Sequence, residues 1–300
     1  MTELRIRVPA TSANLGPGFD SFGVALPLVA DFDVRPGRAW TVTVDGDGDG
    51  IPTGEDNLFV RAARATAAAA GVSLAAQHVT QRSAIPLARG LGSSAAAIVG
   101  GCVAANALLG DPLDRRTLLR VASEVEGHAD NVAAALYGAF TLTIPTDHGP
   151  SATRLAFPSA WRLCLFIPSR PLSTEEARGV LPASVTRADA VFNLSHAAAL
   201  IAAVLRADGA LLSLAMHDRL HQPARLRLVP ALDDIVAAAR EAGAFGAALS
   251  GAGPSVIAVA PARLAPRVVA AMEEAAAGAG AGGRARPLRA RAAGATVQRA

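Results

Sequence analysis

Ile85-Pro-Leu-Ala-Arg-Gly-Leu-Gly-Ser-Ser-Ala-Ala-Ala97 joins a glycine turn directly to an alanine-rich helix. Glycines at 90 and 92 let backbone N–H groups come close to an anion, and the helix that follows turns its positive end toward the same point. The hydroxyls of Ser93 and Ser94 can reach phosphate oxygens or a magnesium ion. With no ligand, the same residues make a helix start capped by Ser93. The spacing also meets G-x-G-x-x-A, a relaxed dinucleotide fingerprint. The doubled serine, and a place well inside the chain instead of after the first strand, argue against that reading.

Two other segments share this glycine-and-hydroxyl character. Val8-Pro-Ala-Thr-Ser-Ala-Asn-Leu-Gly-Pro-Gly-Phe-Asp20 reads as an ordered loop, stiffened by Pro17 and freed by Gly16 and Gly18, that presents Asn14 and Asp20. An Asx-bonded turn accounts for the same residues without a ligand. Ala247-Ala-Leu-Ser-Gly-Ala-Gly-Pro-Ser-Val256 reads as a turn between two apolar strands. Repeated glycine-rich, hydroxyl-bearing loops favour a ligand with several phosphates. Between these segments, Glu124-Val-Glu-Gly-His-Ala-Asp-Asn131 gathers carboxylates and an imidazole, a set that can handle a proton or hold a hard cation. Zinc is disfavoured, because further His or Cys ligands are far away in sequence.

Composition bounds the rest. In 300 residues, 51% are hydrophobic and 18% charged, enough for a sizeable core in one large or two ordinary domains. All 28 basic residues are arginine. Without lysine there is no P-loop, no strand-borne kinase lysine and no Schiff-base chemistry. Cys102 and Cys164 lie in apolar runs and read as small buried hydrophobes. A net charge of +3 with 4% aromatic residues argues against a nucleic-acid partner. The start at Met1 has no apolar leader pattern, and the uncharged stretch 90–110 is broken by Ser93, Ser94 and Asn106, so a cytoplasmic protein with no membrane partner is expected. Strand patterns at 24–34, 40–44, 79–85, 162–167 and 256–260 mix with helical ones at 57–70, 115–126, 188–206 and 261–277. This mixture, without strict alternation, predicts an α+β fold. Asp45–Gly50 reads as a turn, 278–283 as a Gly/Ala linker and 288–297 as a closing strand.

Taken in order, these segments resemble the galactokinase–homoserine kinase–mevalonate kinase–phosphomevalonate kinase (GHMP) superfamily, and most nearly its homoserine kinase branch. Val8–Asp20 is similar to the branch's first motif, Gly90–Ala96 to the superfamily phosphate loop and Leu249–Ser255 to its third motif. Glu126-Gly-His-Ala-Asp-Asn-Val132, Thr174–Pro182 and His221-Gln-Pro-Ala-Arg225 resemble three further branch segments. The likeness spans about residues 5–260. Ala129 and Ala134 stand where the branch carries proline, and Gly138-Ala139 where it carries a glycine pair.

The resemblance implies a ribosomal-protein-S5-like N-terminal ATP-binding domain over 1–155 and a ferredoxin-like C-terminal domain over 156–300. It implies transfer of the ATP γ-phosphoryl group to the side-chain hydroxyl of L-homoserine, in threonine biosynthesis, by a cytoplasmic homodimer. Gly90, Leu91, Gly92, Ser93, Ser94 and Ala95 would cradle the triphosphate, and Ser94 with Glu126 would hold Mg²⁺. Asn57 is the candidate adenine contact. Arg178 and Arg225 suit a carboxylate, while Asn14, Asp20, Asp130 and Asn131 would lie near the ammonium and hydroxyl. Thr174 would approach the γ-phosphate or fix the substrate loop. Asp130 is the candidate base; the competing reading has no protein base and leaves Asp130 to orient substrate. A sister kinase acting on another alcohol and a catalytically silent ligand-binding member are the alternatives.

Overall fold

A computed structural model describes residues 3–46, 48 and 50–299; Asp47 and Asp49, in the expected Asp45–Gly50 turn, lie outside the described residues. The strands are β1 (Leu4–Asn14), β2 (Gly18–Pro36), β3 (Thr41–Asp45), β4 (Gln77–Ser83), β5 (Phe140–Ile144), β6 (Ser151–Leu155), β7 (Trp161–Pro168), β8 (Gly246–Leu249), β9 (Val256–Pro261), β10 (Gly283–Leu288) and β11 (Thr296–Arg299). The helices are α1 (Leu58–Ala69), α2 (Ser93–Leu108), α3 (Arg115–Glu126), α4 (Asp130–Tyr137), α5 (Thr174–Gly179), α6 (Arg187–Arg206), α7 (Gly209–Ala215), α8 (Gln222–Arg225), α9 (Leu232–Glu241) and α10 (Ala265–Gly278).

Two sheets organise the chain. The first runs β11-β1-β2-β4-β3, with β5 and β6 extending from β2. The second runs β10-β7-β9-β8 and is antiparallel throughout. β7 shows how sequence period becomes layering. Leu163 and Leu165 face the core shared with α6, α7 and the first sheet, while Cys164 and Phe166 face α9 and α10. α2 is apolar nearly all round and is buried from Ala95 to Ala107, as befits a helix inside the first core. Burial pushes both thiols up to about 12, so Cys102 and Cys164 are packing groups.

Three sequence expectations change. The 8–20 segment is a strand continued to Asn14, a tight turn and a second strand from Gly18, not a loop. Its polar residues mislead because Thr11 and Ser12 are fully buried and pair with Ala25 and Val24. Left-handed φ values at Asn14 (69°), Leu15 (49°) and Gly16 (86°) make the reversal. At the other end, α10 reaches Gly278 and a strand already begins at Gly283, so little linker remains. Nor is 288–297 the closing strand: that role falls to β11 at Thr296–Arg299, which returns to the first sheet opposite Leu4–Arg7.

Candidate active site

The turn before α2 is held open for an anion. Its N-cap is Gly92 (φ 68°), not Ser93, and no side chain caps the helix. The first-turn N–H groups are thus left without a side-chain acceptor, where the helix dipole is positive. Both glycines are required by their surroundings. A Cβ on Gly90 (φ 66°) would run into the carbonyl oxygens of Ser250 and Gly253, and one on Gly92 into Thr11 Oγ1. The third glycine segment braces the turn while Gly251 and Ala252 line the same cleft. Ser250 Oγ lies 2.7 Å from the Gly90 carbonyl and 2.8 Å from Ser12 Oγ, and Gly251 N–H donates to Ala13. Arg89 ties the loop to the other sheet by donating to the carbonyls of Leu87 and Pro168.

Acidic residues from α3 and α4 stand beside this turn. Ser94 Oγ donates to Glu126 Oε1 at 2.6 Å. Burial pushes the Glu126 carboxyl above its usual range, against the opposing pull of the Ser94 hydrogen bond and the His128 charge. Both donors are oxygens, the chemistry a hard cation requires. No cluster of three or more His, Cys, Asp or Glu side chains suited to a metal exists among the described residues. A cation here needs oxygens from its ligand as well.

Asp130 opens α4 and is almost fully buried. Its Oδ1 meets His128 Nδ1 at 2.6 Å and the Asn131 backbone N–H at 2.7 Å, while Oδ2 makes no hydrogen bond among the described residues. Burial pulls the His128 imidazolium down, but the Asp130 hydrogen bond and the charges of Asp130 and Glu126 outweigh it, so its pKa is raised. Thr11 Oγ1 donates to Asn131 Oδ1 at 2.7 Å.

Two arginines differ sharply in setting. Arg178 is half-exposed and pairs with Asp20 at 2.9 and 3.3 Å. Arg225 is 1% exposed and has no carboxylate within ion-pair distance among the described residues. Its Nε donates to the Ala177 carbonyl at 3.0 Å and one Nη to His221 Nδ1 at 3.0 Å. Burial lowers its pKa to about 10, with the nearby Arg178 charge adding to the effect.

One cleft of about 380 Å³ collects nearly all the residues singled out from the sequence: Asn14, Asp20, Asn57, Gly90 to Ser94, Glu126, Asp130, Asn131, Thr174, Arg178 and Arg225. Ala95 is fully buried and offers only its backbone. Asn14 Nδ2 donates to Gly251 and its Oδ1 accepts from Asp20 N–H, so this side chain also clips the two halves together. Asn57 caps α1 by accepting from Phe59 N–H and donates to Pro52. Sequence reasoning missed Gln81, whose amide oxygen is buried with no partner beside Ile51, Pro52 and Leu58. It also missed Thr11, Arg89 and His221. Only His221 carried a usable signal, four residues before Arg225 in the same motif.

Comparison with known proteins yields one family. The GHMP kinases N terminal domain matches residues 57–139 and the GHMP kinases C terminal matches 200–278. A homoserine kinase of Moorella thermoacetica is 46% identical over 254 residues, covering 84% of this chain and 86% of that protein. One from Deinococcus radiodurans is 47% identical, covering 84% and 82%. The crystal structure of homoserine kinase from Cytophaga hutchinsonii superposes with a TM-score of 0.89 at 30% identity, over 99% of this chain and 97% of that one.

Proposed function

The chain belongs to the homoserine kinases of the GHMP kinase family, and from that premise we propose how its cleft carries out the reaction. ATP donates its γ-phosphoryl group to the side-chain hydroxyl of L-homoserine, giving O-phospho-L-homoserine for threonine biosynthesis. One observation carries the spatial reading. The uncapped start of α2 and the unneutralised guanidinium of Arg225 open into the same cleft, with Asp130 beside them.

The triphosphate lies along the N–H groups of 90–95, which take over the role a P-loop lysine plays elsewhere. Ser94 and Glu126 would hold Mg²⁺, giving up their mutual hydrogen bond, and the ion would supply charge neutralisation for the triphosphate. Arg225 takes the substrate carboxylate. Asp20, Arg178, Asn131 and Thr174 line the wall around the ammonium and the transferring group, and Asn14 holds that wall in place. Asp130 presents Oδ2 to the acceptor hydroxyl. With Oδ1 already held by His128 and the Asn131 N–H, the side chain is fixed in one orientation. That favours orientation, with the proton leaving late, over early abstraction. The test is ADP release with ATP and Mg²⁺ across L-homoserine, D-homoserine, L-threonine, mevalonate and galactose. Turnover confined to L-homoserine is expected; turnover on a neutral sugar instead would overturn the role of Arg225.

The base of ATP occupies the apolar end beside Ile51, Pro52 and Leu58, where Gln81, whose buried amide oxygen has no partner, is the candidate polar contact for adenine. Asn57 shapes that end through its cap. Gln81→Leu is expected to raise the KM for ATP about tenfold, the scale of one lost buried hydrogen bond. The KM for homoserine should stay constant in the same initial-rate series, and an equal rise in both would contradict the assignment.

A cytoplasmic homodimer without nucleic-acid or membrane partners completes the proposal. α6 has the length and apolar character of a membrane span, with only 22% of it buried. Yet it packs Leu200, Ala203 and Val204 into the core, leaving Val191, Leu194 and Leu205 exposed, as is Leu214 of α7. Such a stripe suits a second copy of the chain. Leu194→Glu is expected to convert dimer to monomer in light scattering after size exclusion. A wild-type monomer at micromolar concentration would refute the dimer.

A further inference from the structure

We propose that His221 is a positioning residue for carboxylate recognition, a neutral acceptor that fixes the Arg225 guanidinium without cancelling its charge. The inference rests on the reading of Arg225 as the carboxylate ligand.

The hydrogen bonds allow one state of the imidazole. Nε2 lies 2.9 Å from the Gly16 carbonyl, which can only accept, so Nε2 carries a proton. Nδ1 lies 3.0 Å from Arg225 Nη1, which can only donate, so Nδ1 carries a lone pair. The ring is therefore neutral, in the Nε2–H tautomer. Burial pushes its pKa down, in agreement. Phe19 stacks on the ring at 5.2 Å and 24°, holding its plane. Asp218 comes within 3.7 Å of Nε2, but its oxygens are already engaged by the backbone N–H groups of Leu220, His221 and Gln222 and by Asn193.

The neutrality has a purpose that a carboxylate could not serve. A buried guanidinium needs its N–H groups satisfied, and an Asp or Glu at this place would satisfy them and neutralise the cation together. An imidazole lone pair does the first without the second. Asp20, Asp130 and Asp218 act on Arg225 only at a distance, so it meets an anion arriving in the cleft without a direct ion pair to break, whereas Arg178 is already paired with Asp20. With Nε on Ala177 and one Nη on His221, the other terminal nitrogen makes no hydrogen bond among the described residues, and Arg225 lines the cleft. Because His221 also holds the Gly16 carbonyl, the turn between β1 and β2 and the carboxylate site are set by one ring.

The experiment combines kinetics with a tautomer measurement. His221→Phe preserves the stack and removes both hydrogen bonds. It is expected to raise the KM for L-homoserine on the order of 10- to 100-fold, the scale of a hydrogen bond to a charged group. The turnover number and the KM for ATP should stay within about twofold, and His221→Gln, which keeps an amide donor and acceptor, should recover part of the loss. A merely structural role would move all three constants together and would refute the proposal. In wild-type enzyme, the imidazole ¹⁵N shifts should show a lone-pair Nδ1 and a protonated Nε2; an Nδ1–H tautomer or an imidazolium at pH 7 would overturn it even if the Phe variant failed to fold. Arg225→Leu separates the two levels. If it raises the homoserine KM while His221→Phe does not, the inference fails and the carboxylate reading stands. If neither raises it, both fail.

Discussion

Gly90→Ala is expected to lower kcat/KM for ATP by on the order of 10²–10³-fold while leaving a folded protein. Two effects add. The backbone at 90 is left-handed, which costs a non-glycine residue about 1–3 kcal/mol. The new methyl group also meets two carbonyl oxygens, those of Ser250 and Gly253. Neither can retreat freely, because Ser250 is bonded to Gly90 and Ser12, and the neighbouring Gly251 carbonyl accepts from Asn14. The loop must therefore move instead, and a shift of about 1 Å at an attacking or leaving group can cost on the order of 10²-fold. Titration calorimetry with ATP and initial rates would check the result. Near-wild-type ATP affinity would show that the 90–95 backbone does not cradle phosphate.

Asp130→Asn is expected to lower turnover by on the order of 10²–10⁴-fold with little change in ATP affinity. Asparagine is nearly isosteric and its oxygen can still accept from His128 and Asn131. What changes is the open side of the group. An acceptor for the substrate hydroxyl becomes an N–H donor, and the negative charge near the acceptor oxygen is lost. Rapid-quench single turnovers place the loss in the phosphoryl-transfer step. A loss smaller than about tenfold would remove Asp130 from the chemistry.

The parts of this molecule written in local spacing were legible, and the parts written in long-range backbone contacts were not. Gly90 and Gly92 announce the left-handed turn that feeds α2, because turn freedom and helix start are local properties. The β7 layering follows from alternation alone. By contrast, the 8–20 segment was read as a loop because its polar residues obscure the pairing of Thr11 and Ser12 with β2. The strut role of Ser250 depends on Ser12 and Gly90, more than 150 residues away. Asn57 could be picked out, but its side chain is spent on capping α1 at Phe59 N–H and on the Pro52 carbonyl. Gln81 sits in an ordinary strand, and only its unpaired amide beside the cleft marks it. The difference between Arg178 and Arg225 is one of burial and partners, which no spacing encodes.

The most direct test is a crystal structure with a non-hydrolysable ATP analogue, Mg²⁺ and L-homoserine. The account predicts phosphates along the 90–95 amides, the metal between Ser94 and Glu126, the homoserine carboxylate on Arg225 and its hydroxyl beside Asp130 Oδ2. Homoserine bound with its carboxylate away from Arg225, or a triphosphate away from the start of α2, would contradict it.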